Sequence, residues 1–431
     1  MGLPRLFFPI SPVTTEADTR FLSLDIIRGI AVMGIFIANV IGMAMIEAAY
    51  FYPPIQGFSS PLDHVAWAVN YVFVDGRFRA LFSILFGASL LLITDRAEAS
   101  GRAAWKSHFP RMTVLLLFGL LHFYLLWWGD ILANYALIGM AAFFLRRMPV
   151  PAMIMGAVLA LLAQHGPGMA SLSQQLPRYE AMRAPDASPE ERAAYDRMIA
   201  SVAVTPAKIA ADRAAHATPA AHFRQMTSPE NIWRPLRSIT GYGFETLGLM
   251  LLGMAAYRAG VLTAGWSRRF YALIGGSLTT VSLAVFALGA AAIHAADYDR
   301  LEFYWWDYVV LPLLQPICAL GYVALILWAL HGREHGAVFR RIAATGRTAF
   351  TNYLGATLVG VLLFYGFAGG LYGQLSRGEA WLISFPVCAG MLLWAQPWLA
   401  RFRYGPFEWL WRSLSRGRWE AFRLPPKTHS L

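Results

Sequence analysis

Charged residues make up only 14% of this 431-residue chain, where a soluble domain carries about 25%. With 57% hydrophobic residues, the chain has too little polar surface to face water throughout, so lipid must solvate much of it. Cysteine is nearly absent. Cys318 and Cys388 each lie inside an apolar run, which excludes a disulfide framework and a cysteine-based metal site and leaves both as small packing residues. Also missing are a Walker loop, a dinucleotide fingerprint, a zinc-ligand spacing and a serine-hydrolase elbow. An ATP-driven pump and a metalloprotease are thereby excluded, and no metal cofactor is expected. The stretch Met1 to Val13 has no cleavable signal pattern and no Ser or Thr at the sixth position for myristoylation. The first hydrophobic run is therefore expected to be kept as a helix.

What the chain does hold is a series of apolar runs near 25–46, 78–94, 112–128, 130–146, 150–165, 240–258, 270–293, 306–330, 348–368 and 380–398. These predict an all-α integral membrane protein of about ten transmembrane helices. The segment 62–74 is amphipathic and reads as an interfacial or re-entrant piece. Pro312 and Pro316 predict a kink in the eighth span. Net charge is +11, nearly all from arginine. Those arginines sit in every second short loop: 95–111, 146–150, 258–269, 331–347 and the tail. The loop 294–307 is acidic and 369–379 is nearly neutral. Such alternation orients a membrane protein rather than marking a nucleic-acid binder, and it puts both chain ends in the cytoplasm. The expected partner is a lipid bilayer, with no nucleic acid; a homodimer is compatible with the sequence.

The stretch 166–237 breaks the pattern, being rich in Ala, Pro and mixed charges. It predicts short helices on the outer face. The expected organisation is a five-span bundle over 1–165, an extracytoplasmic insertion over 166–237, a second five-span bundle over 238–400 and a cytoplasmic amphipathic tail over 401–431.

Polar residues inside spans are costly and need a reason. Arg28 and Asn39 differ by only about 20° around an α-helix and by about 16 Å along it, with Asp25 on the same face. Two readings fit: an i,i+3 ion pair with a helix-gluing amide, or a functional stripe. Arg111 and His122 repeat the spacing, and Asp130 with Asn134 opens the next helix after Trp127-Trp128-Gly129. Asp130 fits an N-cap or a partner of His122. His122 fits a helix-to-helix hydrogen bond or proton handling. Further candidates are Glu245 near the outer end of the sixth span, His64 beside Asp63, Arg347 at the start of the ninth span, and Gly87 as a close-packing site.

The blocks Leu24-Asp25 through Arg28-Gly29 to Asn39, Phe82 to Gly87, His122 with Gly129-Asp130-Ile131-Leu132, Gly346 to Leu354, and Tyr404 to Arg412 resemble the bacterial YeiB-like membrane proteins, whose C-terminal domain is of unknown function. The resemblance covers nearly the whole chain apart from 166–237. The opening pattern is more distantly similar to the transmembrane heparan-alpha-glucosaminide N-acetyltransferases. Those proteins take an acyl group from cytosolic acyl-CoA and pass it to an acceptor on the far side. They pair an Asn of the first span with a catalytic His in the following loop. Asn39 matches that Asn; the loop position corresponds to Tyr50, with His64 further along.

The expected function is an acyl-CoA-dependent transmembrane acyltransferase of the bacterial inner membrane. Arg28, Arg111 and Arg347 would hold the CoA phosphates. His122 would act as general base, Asp130 would orient it, and Asn39 would donate to the oxyanion. Glu245 and His64 would meet the acceptor, a small molecule or an envelope glycan. The alternatives are a proton-coupled transporter, with His122, Asp130 and Glu245 carrying protons, and a scaffold whose polar residues only join helices.

Overall fold

A computed structural model describes residues 22–333 and 336–425; the stretch Met1 to Val13 lies outside the described residues. Its helices, in chain order, are α1 (Leu22–Ala44), α2 (Glu47–Phe51), α3 (Pro61–Val69), α4 (Arg77–Ala99), α5 (Ala104–Leu125), α6 (Leu132–Ala142), α7 (Val150–Arg183), α8 (Pro189–Val202), α9 (Pro206–Ala215) and α10 (Pro219–Met226). They continue with α11 (Arg234–Ser238), α12 (Phe244–Arg258), α13 (Arg268–Ala295), α14 (Arg300–Trp305), α15 (Leu314–Leu330), α16 (Ala337–Arg347), α17 (Ala349–Phe364), α18 (Arg377–Leu399) and α19 (Pro406–Arg416). Among the described residues the only β pairing is one isolated bridge, Phe402 to Arg423.

Seven helices among the described residues are long and apolar enough to cross a membrane; an eighth counts if a bent pair is one span. Leu132–Leu145 and Ala349–Phe364 are shorter apolar helices. Each of the ten apolar runs in the sequence falls on one of these. The exposed side chains show what solvates them. On α13, Leu273, Val281 and Leu288 are 73%, 62% and 62% exposed, a stripe at helical spacing that only lipid tolerates.

The segment 62–74 is not a piece separate from α4. A turn of π-helix over Asn70–Val74 carries α3 toward α4, and Pro61–Ala99 forms one long apolar unit. Its polar residues are tied to α18: Gly378 N–H donates to Asp63 Oδ1 (2.7 Å) and Trp381 Nε1 to Asn70 Oδ1 (3.0 Å). Nor does α7 stop at 165. It runs through Gly166-Pro167-Gly168 to Arg183, 34 residues in all. The 63° bend between Arg300–Val310 and Leu314–Leu330 is centred on Pro312, which has no N–H to continue the ladder. Pro316, in the first turn of α15, needs no kink.

Helices from the two halves of the sequence pack directly on one another. The helix α12 packs on both α4 and α7, and α1 packs on α16, α17 and α18. Glycine permits this. A Cβ added at Gly253 would fall on the Ile84 carbonyl oxygen, and one at Gly87 on that of Met250, so each helix backbone rests on the other. Gly29 and Gly346 do the same for α1 and α16, against the carbonyls of Ile342 and Asp25.

The insertion forms short helices by a repeated local device. Ser188, Thr205 and Thr218 each precede a proline and accept the N–H three residues on. A Ser or Thr N-cap satisfies one orphan N–H of the first turn, and Pro at the first position removes another. These helices dock back on the bundle: Asp212 Oδ2 accepts from Glu47 N–H (3.0 Å) and the Tyr372 hydroxyl (2.9 Å), and Arg234 pairs with Glu47 at 2.6 Å.

Candidate functional site

At the end of the bundle where the basic loops and tail meet lies a cavity of about 1300 Å³. That exceeds the usual range for small-ligand pockets, roughly 300–1,000 Å³. Arg28, Arg111 and Arg347 all line it. The first is placed by α1: its Nη1 donates to Asp25 Oδ1 (3.1 Å) and its Nη2 to Ser89 Oγ (3.0 Å). The i,i+3 ion pair read from sequence is therefore real, and it also forms part of the cavity wall. Arg111 sits two turns into α5, which starts at Ala104. Its guanidinium carbon lies 4.6 Å from the Trp411 ring centroid, and Trp411 Nε1 donates to the Arg111 carbonyl (2.8 Å).

The tail helix α19 closes one side. Arg96, Arg102, Lys106, Arg412, Arg416 and Arg418 add to the basic wall, while among the described residues Asp25 and Glu408 are the acids on it. Glu408 is spoken for: it accepts from Phe350 N–H (2.7 Å), Thr351 N–H (3.0 Å) and the Thr351 hydroxyl (2.5 Å). The carboxylate thus caps the first turn of α17 from another helix. Burial pushes its pKa above the ordinary glutamate range. What remains is a strongly electropositive hollow, suited to a polyanion.

Ile131, Leu132, Tyr135 and Tyr353 line the apolar part of the cavity. Next to it stands the histidine singled out above. His122 Nδ1 lies 2.9 Å from Asp130 Oδ1, and its Nε2 lies 3.0 Å from Thr357 Oγ1. Asp130 Oδ2 accepts the Ala133 N–H (2.8 Å), so this residue is a cap of α6 and a partner of His122 at once. The turn Trp127-Trp128-Gly129 brings them together, and Trp127 Nε1 anchors it to the Gly42 carbonyl (3.1 Å). His122, Asp130 and Thr357 are 2%, 8% and 1% exposed. The His122 and Tyr353 rings are 5.2 Å apart.

Three expected site residues lie elsewhere. Asn39, half-buried on α1, is not in the cavity wall. Glu245 is buried in an ion pair with Arg79 (2.7 Å), with His165 Nε2 at 3.7 Å, so its carboxylate neutralises a buried guanidinium. His64 is stacked on Phe58 at 4.3 Å and hydrogen-bonded to the Tyr298 hydroxyl at 2.6 Å, in an aromatic cluster rather than in open solvent. Sequence reading missed Thr357 and Tyr353, four residues apart on one face of α17, although Tyr353 falls within a block that carries the family resemblance.

At the opposite end of α17 a second polar cluster is buried. His216 stacks on Tyr372 (4.2 Å) and meets Tyr365 edge-on (4.6 Å), and His222 lies 5.1 Å from Tyr365. Burial, then the neighbouring His216, pushes the His222 pKa down to about 4. Burial lowers that of His216 as well, against the nearby Asp212 and Glu47. Histidines held neutral in the fold but free to protonate near pH 6.5 when unfolded make stability fall as pH drops from about 6.5 toward 4. The thermal midpoint in detergent is expected to decline over that interval, and His222→Phe is expected to flatten the decline. Parallel curves for the two proteins would contradict this.

Fold and cavity together define a multi-pass helical membrane protein with a large basic pocket at one end of its bundle. The chain belongs to the YeiB-like family. It is 30% identical over 402 residues to "Uncharacterized protein YeiB" of Escherichia coli (strain K12), covering 92% of this chain and 96% of that protein. It is 27% identical over 423 residues to "Uncharacterized protein YxaH" of Bacillus subtilis (strain 168), covering 94% and 96%. A third relative, "Uncharacterized 39.9 kDa protein in amylase 3'region" of Bacillus acidopullulyticus, is 21% identical over 420 residues, covering 93% and 95%. Residues 256–418 match the family described as "Protein of unknown function (DUF418)". No solved structure matches the chain.

Proposed function

We propose that this protein is an acyl-CoA-dependent transmembrane acyltransferase of the bacterial inner membrane, with ten spans and both ends in the cytoplasm. One observation carries the reading: Arg28, Arg111 and Arg347 converge on a single cavity whose wall includes Tyr353, and the Tyr353 ring lies 5.2 Å from that of His122, the partner of Asp130. The arginines bind the CoA phosphates by charge-assisted hydrogen bonds. The pantetheine arm follows the apolar wall toward Tyr353. His122 takes the proton of the attacking hydroxyl or amine, and Asp130 holds the imidazole and balances its charge. Asn39, expected to donate to the oxyanion, gives way to the Tyr353 hydroxyl, which is buried at the cavity wall. The acceptor is a small molecule or envelope glycan reaching the protein from the outer face, beneath the insertion.

Titration of the purified protein with acetyl-CoA tests this. Binding is expected, weakened by salt. Arg28→Gln, Arg111→Gln and Arg347→Gln are each expected to weaken it by about tenfold or more, since a hydrogen bond to a charged group contributes about 1.5–3 kcal/mol. No binding, or three variants that bind as the parent does, would overturn the proposal.

One observation favours a second reading, a proton-coupled transporter. Charged groups are buried at a helix break: Arg77, 2% exposed, donates to the Asp75 carbonyl and lies 3.4 Å from the Phe286 ring centroid. Broken helices with buried charge are where transporters bind substrate. Flux into proteoliposomes driven by a proton gradient without an acyl donor would favour that reading over the enzyme.

A further inference from the structure

Among the described residues the wall of the basic cavity includes Tyr353 but neither Thr357 nor His122, and His122 is 2% exposed. Outward of it, Trp127, Phe364 and Tyr365 are each 0–1% exposed, and Met43 fills the notch left by Gly360. A thioester arriving from one side and an acceptor from the other therefore do not meet in this conformation. What does meet His122 is a hydroxyl of the protein itself. Thr357 Oγ1 is 3.0 Å from Nε2, and Asp130 is 2.9 Å from Nδ1 on the other side of the ring. Nucleophile, base and orienting carboxylate within hydrogen-bond reach are the arrangement that activates a hydroxyl for covalent catalysis. Tyr353, one turn before Thr357 on the same helix face, borders the donor cavity.

We infer that Thr357 is a covalent acyl carrier, esterified by the donor and discharged to the acceptor, so that the two substrates need never be present together. The inference rests on the acyl-CoA reading above. In the first half-reaction Thr357 Oγ attacks the thioester carbonyl while His122 Nε2 takes its proton. The carbon–sulfur bond breaks, and the departing sulfur receives that proton and leaves as the CoA thiol. In the second, the acceptor oxygen or nitrogen attacks the Thr357 ester and gives its proton to His122. The bond from the acyl carbon to Thr357 Oγ breaks, and the proton returns to Oγ. Nothing is oxidised or reduced. The Thr357 hydroxyl also lies 3.3 Å from the Tyr353 carbonyl. Its proton is thus shared between a local backbone bond, the usual habit of threonine in a helix, and the nearer imidazole nitrogen. Tyr353, whose buried hydroxyl belongs to the cavity wall, supplies the donor for the oxyanion of both half-reactions.

The full-length protein, in detergent and without acceptor, is mixed with acetyl-CoA, quenched in acid and analysed by peptide mass spectrometry. An acetyl increment on Thr357, removed by hydroxylamine and matched by released CoA thiol, is expected. Thr357→Val, close in volume, is expected to bind acetyl-CoA normally, form no adduct and lose at least about 100-fold in thiol release. Thr357→Ser is expected to keep the adduct. Thiol release at the parental rate by Thr357→Val, or transfer to acceptor with no adduct on rapid quench, would overturn the carrier role while leaving the acyl-CoA reading intact. Absence of acetyl-CoA binding in the parent protein would overturn both.

Discussion

His122→Ala is expected to lower acyl transfer from acetyl-CoA by 10²–10⁴-fold, the range that a positioned general base contributes, while acetyl-CoA still binds. The separation follows from geometry. The three arginines proposed to hold the donor lie in the basic part of the cavity, whereas the hydrogen bonds of His122 go to Asp130 and Thr357. Removing the ring strands a carboxylate that is 8% exposed, and an uncompensated buried charge is costly. The companion variant is therefore His122→Gln, which keeps a hydrogen bond to Asp130 but cannot carry a proton. Both variants are expected to be inactive, and His122→Gln is expected to keep the parental thermal midpoint. Wild-type turnover in either, measured as thiol release with size-exclusion profiles as the control for folding, would rule out the base.

The largest effect on stability is expected at the α4–α12 crossing. Gly253→Val sets two methyl groups against the Ile84 carbonyl, and Gly87→Val does the same at Met250. Overpacking in a rigid interior costs about 1–3 kcal/mol or more per site, and here the obstacle is backbone, which cannot rotate away. Each variant is expected to lower the melting temperature sharply and the pair to yield little folded protein. Gly276→Val, on the α13 face where an added Cβ meets nothing, serves as the control and is expected to melt with the parent. Equal melting of all three would refute the crossing.

Much of this molecule can be read from its residues because lipid enforces simple rules. Apolar runs of the needed length become helices, and the spacing Asp25 to Arg28 becomes an ion pair. The turn between α5 and α6 leaves Asp130 open as a cap or as a partner of His122, and in the structure it is both. What escaped is of another kind. Thr357 carries no pattern of its own, since one hydroxyl in the apolar helix α17 looks like any helix-packing threonine; only its neighbour 235 residues away gives it meaning. Glu245 looked available because Arg79, its partner, is 166 residues distant. The segment 62–74 looked interfacial because its polar residues, Asp63 and Asn70, are satisfied by α18, far along the chain. Local periodicity records burial but not the partner, and a site is made of partners.

The lodging of α12 between α4 and α7 also dictates an order of assembly during synthesis. When α4 through α7 have left the ribosome, the backbone notch at Gly87 has nothing to receive, because Met250 is still to be translated. The first half must wait in the bilayer, unfinished, through the whole of the insertion 166–237. Its three proline-started helices carry their own caps, Ser188, Thr205 and Thr218. Those local caps let the insertion begin to take shape while the membrane part awaits its missing helix.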